Sequence, residues 1–296
     1  MLQREKINAE LHEIRSSYLF APPGHFYSPI PSIEGVRKHE SRVFNQIPKD
    51  IPGVDLREPE QLALLQQFKQ YCAQLPFKSE KSPGLRYHYD NPAYAYCDAI
   101  SLFCMIRHLR PGKVVEIGSG YSSCVTLDTN DLFFNGSIAT TFIEPFPELL
   151  LSLVKEEDRQ SIEIIPSPLQ DVRIEVFERL SAGDILFIDS THVSKVNSDV
   201  NRIFFEILPC LAPGVYIHFH DVFYPFEYPK EWIYEGRAWN ESYLLRAFLQ
   251  YNKSFRIVLM TSFLYHFHRE VFQTDDGLAL CLKNPGGSIW ICKESS

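Results

Sequence analysis

The residues best placed to do chemistry lie in one decapeptide, Val114-Val115-Glu116-Ile117-Gly118-Ser119-Gly120-Tyr121-Ser122-Ser123. A short apolar run, a glycine turn and a pair of serines describe a strand feeding the start of a helix. Glycines let the backbone approach a ligand closely, and the free N–H groups of a helix start can hold a carboxylate or a ribose edge. A nucleotide-like cofactor is therefore expected against Glu116, Gly118, Ser119, Gly120, Ser122 and Ser123. A dinucleotide fingerprint wants glycine or alanine at the third position of G-x-G-x-x-G, where this chain has Ser123. Glu116, two residues before the first glycine, suits a cofactor with a positively charged amino-acid end better than a pyrophosphate. The bland alternative is a glycine turn with no ligand.

Further polar residues end the later apolar runs. Glu144, one strand-helix-strand unit on, is placed to accept hydrogen bonds from both hydroxyls of a ribose. Ser167-Pro168-Leu169-Gln170-Asp171 falls where an adenine ring would be bordered, with Gln170 as its candidate contact; a plain polar turn explains it equally well. Asp189 closes the fourth run and is followed by Ser190, Thr191 and His192, while the fifth ends in His218-Phe219-His220-Asp221. Ligands of open α/β sheets bind outside the carboxyl ends of the strands, so both clusters face one crevice. Asp189, His220 and Asp221 have the donor types to ligate a divalent cation, and His192 titrates where a general base is useful. His218, His266 and His268 read as structural. Between residues 222 and 240, Phe223, Tyr224, Phe226, Tyr228, Trp232, Tyr234 and Trp239 form either a wall or lid over the site or a surface packed against the N-terminal arm or a second subunit.

Elements must hold these residues in place. From Lys113 onward, short apolar runs alternate with amphipathic stretches, which predicts βα units and an α/β, Rossmann-like, mostly parallel sheet with helices on both faces. Seven strands are expected, at 113–117, 139–143, 162–165, 184–188, 214–219, 255–260 and 277–283. Helices are expected at 122–130, 146–155, 172–181, 199–211 and 241–251. The link over 263–276 has no strong helix pattern, so the last two strands should form an antiparallel hairpin, giving one antiparallel edge strand. Upstream, residues 21–55 are proline-rich and read as an irregular arm, followed by helical patterns over 59–74 and 93–109. The expected organisation is an arm and helical cap over 1–110 and a cofactor-binding domain over 111–296.

Composition narrows the function classes. With 296 residues, 45% of them hydrophobic, a full core is affordable, and a formal charge of −8 argues against a nucleic-acid partner. Seven scattered cysteines without a Cys-x-x-Cys pair suggest neither disulfide framework nor zinc cluster, and so a reducing cytoplasm. The charged stretch Met1–Glu13 lacks the apolar centre of a signal peptide, and no apolar run approaches the roughly 20 residues that cross a bilayer. No membrane partner is expected, and a homo-oligomer is left open.

Over about residues 85–283 the chain resembles the class I S-adenosylmethionine-dependent methyltransferases, and within them the bacterial group related to macrocin, mycinamicin and catechol O-methyltransferases. Glu116-x-Gly118-x-Gly120 and Asp189-Ser190-Thr191-His192 carry the likeness. The resemblance implies S-adenosylmethionine as cofactor and a hydroxyl-bearing small molecule, a sugar or other polyol or a phenol, as acceptor. By the pattern of the sugar-directed members it implies Mg2+ on Asp189 and a base at His192. Those members have two adjacent acidic ligands after the fifth strand where this chain has His220-Asp221, which points to a metal-free site or to another divalent cation. An NAD-dependent oxidoreductase and a non-catalytic cofactor-binding scaffold are the competing readings.

Overall fold

Seven strands form one sheet in the order β3-β2-β1-β4-β5-β7-β6, in a computed structural model that describes residues 20–274 and 276–295. They are β1 Lys113–Ile117, β2 Ala139–Ile143, β3 Glu163–Ile165, β4 Ile185–Ile188, β5 Tyr216–Phe219, β6 Phe255–Met260 and β7 Ile289–Lys293. Strands β1 to β5 pair in parallel, and β7 runs antiparallel to both β5 and β6. The expected mostly parallel α/β sheet is thus present. The antiparallel pair lies at the sheet edge, with β6 outermost and the reversed β7 one place in. All four residues of β4 are buried, so both faces of the sheet are covered. Strand order reverses between β1 and β4, and the crevice at their carboxyl ends is where such sheets bind ligands.

The last third of the chain departs from expectation. Residues 277–283 form not a strand but a 3-10 turn, Gly277–Lys283, capped by the Asp276 carboxylate, which accepts from Leu278 N at 2.8 Å. Within it the buried residues are Leu278 and Cys281, three apart, which is the 3-10 period rather than the strand period. The seventh strand is the apolar run after Pro285-Gly286-Gly287. The link expected to lack helix contains helix Thr261–Phe267 and a 3-10 turn Arg269–Phe272. That helix includes His266 and is capped by His268. Helix 172–181 shrinks to Glu175–Glu178. In the helix expected over 199–211, a π turn, Ile203–Ile207, separates Asp199–Arg202 from Leu208–Cys210. Pro209 has no N–H to donate, and Leu208 N reaches back five residues to Ile203 O.

The chain divides into two units, Pro48–Glu227 with Asn240–Ser296, and Met1–Ile47 with Tyr228–Trp239. The expected boundary at 110/111 is not where they part. Helices Glu58–Cys72 and Tyr96–Leu109 belong to the unit with the sheet, where they bury Leu64, Leu65, Phe68, Ile100, Phe103 and Ile106. In the smaller unit the arm is less irregular than its prolines suggest, because Ser32 caps helix Ile33–Lys38 and helix Glu40–Phe44 follows. Glu40 accepts from Lys230 Nζ and Tyr234 Oη, each at 2.6 Å. The aromatic stretch from Tyr228 to Trp239 therefore packs with the N-terminal arm, one of its two expected roles. Met1–Glu13 lies outside the described residues.

Candidate active site

The glycine turn is locked to the end of β4. Gly118 has φ +77°, and a Cβ there would stand 2.2 Å from the carbonyl oxygen of Asp189, so neither conformation nor space admits a side chain. Glu116 is fully buried. Its Oε1 accepts from Ser122 Oγ at 2.5 Å and Ser123 Oγ at 3.0 Å, while Oε2 is buried with no hydrogen-bond partner among the described residues. Burial pushes this carboxyl up to about 8 despite the two serine hydroxyls. Gly120 N donates to Ser123 Oγ at 3.0 Å. Across the turn, Glu144 accepts from Ser119 N at 3.3 Å and Phe146 N at 2.9 Å, and Phe146 leaves its ring 76% exposed. Buried Ser119 Oγ has no partner among the described residues.

The opposite wall is built on a loop bent by local side-chain contacts. Asp199 accepts from Thr191 N at 2.8 Å and Thr191 Oγ1 at 2.6 Å, and His192, at φ +60°, takes a left-handed conformation. Its carbonyl accepts from Asn240 N and Glu241 N at the start of helix Glu241–Leu249. Glu241 is almost wholly buried and accepts from Ser190 Oγ at 2.8 Å, and its Oε2 lies 2.9 Å from His192 Nδ1. The other ring nitrogen, Nε2, then faces Asp189 Oδ1 at 3.3 Å and Asp221 Oδ2 at 3.6 Å. His220 Nδ1 lies 3.5 Å from Asp189 Oδ2 and 3.7 Å from Asp221 Oδ1.

Charge is concentrated here. Burial opposes protonation of His192, but the carboxylates of Asp189 and Glu241 outweigh it and raise the imidazole to about 10. Burial likewise opposes protonation of His220, and Asp221 and Asp189 raise it to about 10. Burial alone would lift the Asp189 carboxyl, yet the two imidazoles hold it far below the usual carboxylate range. Ligand atoms of Asp189, His220 and Asp221 all lie within 4.8 Å of one another, as a bound cation requires.

The fold thus brings Glu116, Gly118, Ser119, Gly120, Ser122, Ser123 and Glu144 to one side of the crevice and Asp189, His192, His220 and Asp221 to the other. Gln170 is engaged elsewhere, donating from Nε2 to Asn197 O at 2.7 Å. His218 is packed in the sheet, stacked on Phe187 with ring centroids 4.1 Å apart and 3.0 Å from Ser288 Oγ. Glu241 escaped the sequence reading. It lies 49 residues from its partner, and an acidic residue opening a helix reads as ordinary dipole compensation. The dinucleotide alternative gains no support, because Ser123 at the third glycine position turns its hydroxyl onto Glu116.

Residues 115–222 match the family model described as a methyltransferase domain. An uncharacterized protein of Archaeoglobus fulgidus is 38% identical over 167 residues, 55% of this chain and 75% of that protein. Similar solved structures include the SAH-bound Podospora anserina methyltransferase, with 12% identity, 89% and 97% of the two chains covered and a TM-score of 0.46. An O-methyltransferase of Bacillus cereus in complex with SAH is 16% identical, with 88% and 97% covered and a TM-score of 0.44. TomG, the Streptomyces achromogenes O-methyltransferase involved in tomaymycin synthesis, is 14% identical, with 88% and 96% covered and a TM-score of 0.43. With the matched methyltransferase domain running from Glu116 and its glycine turn through Asp221, the chain belongs to the class I S-adenosylmethionine-dependent methyltransferases.

Proposed function

We propose that the chain transfers the methyl group of S-adenosylmethionine to a hydroxyl oxygen of a small molecule, a sugar or other polyol or a phenol. The observation that carries this reading is the His192–Glu241 pair, which turns His192 Nε2 toward the crevice across from the glycine turn. In the transfer the acceptor oxygen forms a bond to the methyl carbon, the carbon–sulfur bond breaks toward sulfur, and His192 Nε2 takes the hydroxyl proton. Glu116 and the backbone of the glycine turn hold the amino-acid end of the donor. Glu144 meets the ribose, and the exposed Phe146 ring offers a face to the adenine.

Asp189, His220 and Asp221 fit a divalent cation. Their ligand atoms converge, and His220 Nδ1 is buried without a hydrogen-bond partner among the described residues. A cation there would favour the ionised form of the acceptor oxygen. An imidazolium cannot accept a proton, so His192 serves as base only where the charge of the facing carboxylates is met by another cation. The discriminating experiment is a screen of hydroxylated and non-hydroxylated acceptors with labelled S-adenosylmethionine, with Mg2+, Mn2+ or a chelator. Acceptor-dependent transfer that His192→Ala abolishes supports the reading. Transfer only to non-hydroxylated acceptors would overturn it, and turnover insensitive to chelator would remove the cation.

A further inference from the structure

Tyr94 presents a buried hydroxyl for which the fold supplies no partner. The residue lies in the turn before helix Tyr96–Leu109 and is 2% exposed, and its hydroxyl makes no hydrogen bond among the described residues. Its backbone is held firmly. Tyr94 N donates to Asn91 Oδ1 at 2.7 Å, and its carbonyl accepts from Tyr87 Oη at 2.6 Å and Asn91 Nδ2 at 2.9 Å. The ring sits over the central strands, 5.9 Å between centroids from Phe187 of β4 and 5.0 Å from His220 at the end of β5. In register, Phe187 pairs with Glu116, so the ring covers the sheet face that carries Glu116. Asp98, Glu116 and Asp189 are close enough that their charge adds to burial in keeping the phenol protonated.

Tyr94 Oη and Glu116 Oε2 are thus among the buried polar atoms at this strand edge without partners, beside Ser119 Oγ and His220 Nδ1. A buried polar group left unpaired is costly, and native folds retain few of them without a ligand to satisfy them. Tyr94 Oη is a phenol that stays protonated and donates; Glu116 Oε2 belongs to a buried carboxyl that burial keeps protonated and that a cationic ammonium beside it would turn into an acceptor. We propose that Tyr94 is a positioning residue for the methyl donor, its hydroxyl donating to the α-carboxylate of the donor while Glu116 accepts from the α-ammonium. This rests on the methyltransferase reading. The pair selects ligands with a zwitterionic amino-acid end over the bare methylthio-nucleoside, and it sets the reach of the sulfonium toward His192.

Calorimetric titration of wild type and Tyr94→Phe with S-adenosylhomocysteine and with 5′-methylthioadenosine tests this, since the second ligand keeps the nucleoside and lacks the amino-acid end. The expected result is an S-adenosylhomocysteine Kd weakened about tenfold by loss of one hydrogen bond, with the 5′-methylthioadenosine Kd unchanged. Equal S-adenosylhomocysteine affinity in the two proteins would overturn the inference. So would a parallel loss for both ligands, which marks a role in packing. A wild type that binds neither ligand overturns the donor assignment itself, and this inference with it.

Discussion

His192 shows how much its surroundings decide. A histidine three residues beyond a strand-ending aspartate is a candidate base; buried Glu241, 2.9 Å from Nδ1, fixes the direction in which its other ring nitrogen points. Glu241→Gln should lower kcat by on the order of tenfold or more, less than the loss of about 10²-fold or more in His192→Ala, while S-adenosylhomocysteine affinity stays unchanged in both. Steady-state kinetics beside calorimetry checks this, and loss of ligand binding in Glu241→Gln would instead mark a structural acid. Glu116 makes a pH-dependent prediction. Its carboxyl is raised in the folded chain to about 8 from 4.5, so its contribution to stability is complete below pH 4.5 and is lost as pH rises through 8. Glu116→Gln removes that loss, and thermal melts at pH 9 should show the variant more stable than wild type by on the order of a few kcal/mol.

Two elements hold the crevice in shape. The turn after β1 meets the end of β4 with no room for a methyl group at Gly118, so Gly118→Ala should cost about 3 kcal/mol through overpacking and backbone strain. Chemical denaturation measures it, and a loss below about 1 kcal/mol would mean that the carbonyl of Asp189 moves aside. The segment leading to Tyr94 is anchored by buried Arg86, whose guanidinium pairs with Asp128 and Asp131, at 2.7 and 2.8 Å, and with Asp158. Backbone N–H groups of Arg86 and Tyr87 also donate to Asp128. Removing the guanidinium leaves the buried carboxylates of Asp128 and Asp158 without their ion-pair partner, so Arg86→Ala should cost about 3–5 kcal/mol, readable in the same denaturation experiment.

At the scale of the whole molecule, donor binding and folding are linked. A ligand that binds only the folded chain stabilises it by about 2.7 kcal/mol at 100 times its Kd. S-adenosylhomocysteine should therefore raise the melting temperature in step with its concentration, and NADH should leave it unchanged. A rise with NADH alone would revive the oxidoreductase reading. Among the described residues no helix is long and apolar enough to cross a membrane.

The amino-acid sequence by itself determined the central sheet, because buried parallel strands must be continuous apolar runs and the βα alternation leaves few ways to order them. It also located the glycine turn, whose backbone demands are local, and the polar residues that end β2, β4 and β5. It did not reveal the seventh strand, since Leu278-Ala279-Leu280-Cys281 and Ile289-Trp290-Ile291-Cys292 are equally apolar and only packing separates a 3-10 period from a strand. Nor did it show Tyr94 or Glu241, because a buried hydroxyl without a partner, or a carboxylate facing an imidazole 49 residues away, exists only once the chain has folded. The glycine turn is set by residues adjacent in sequence, whereas the surroundings of His192 are set by Asp189, Asp221 and Glu241, which only the tertiary structure brings together.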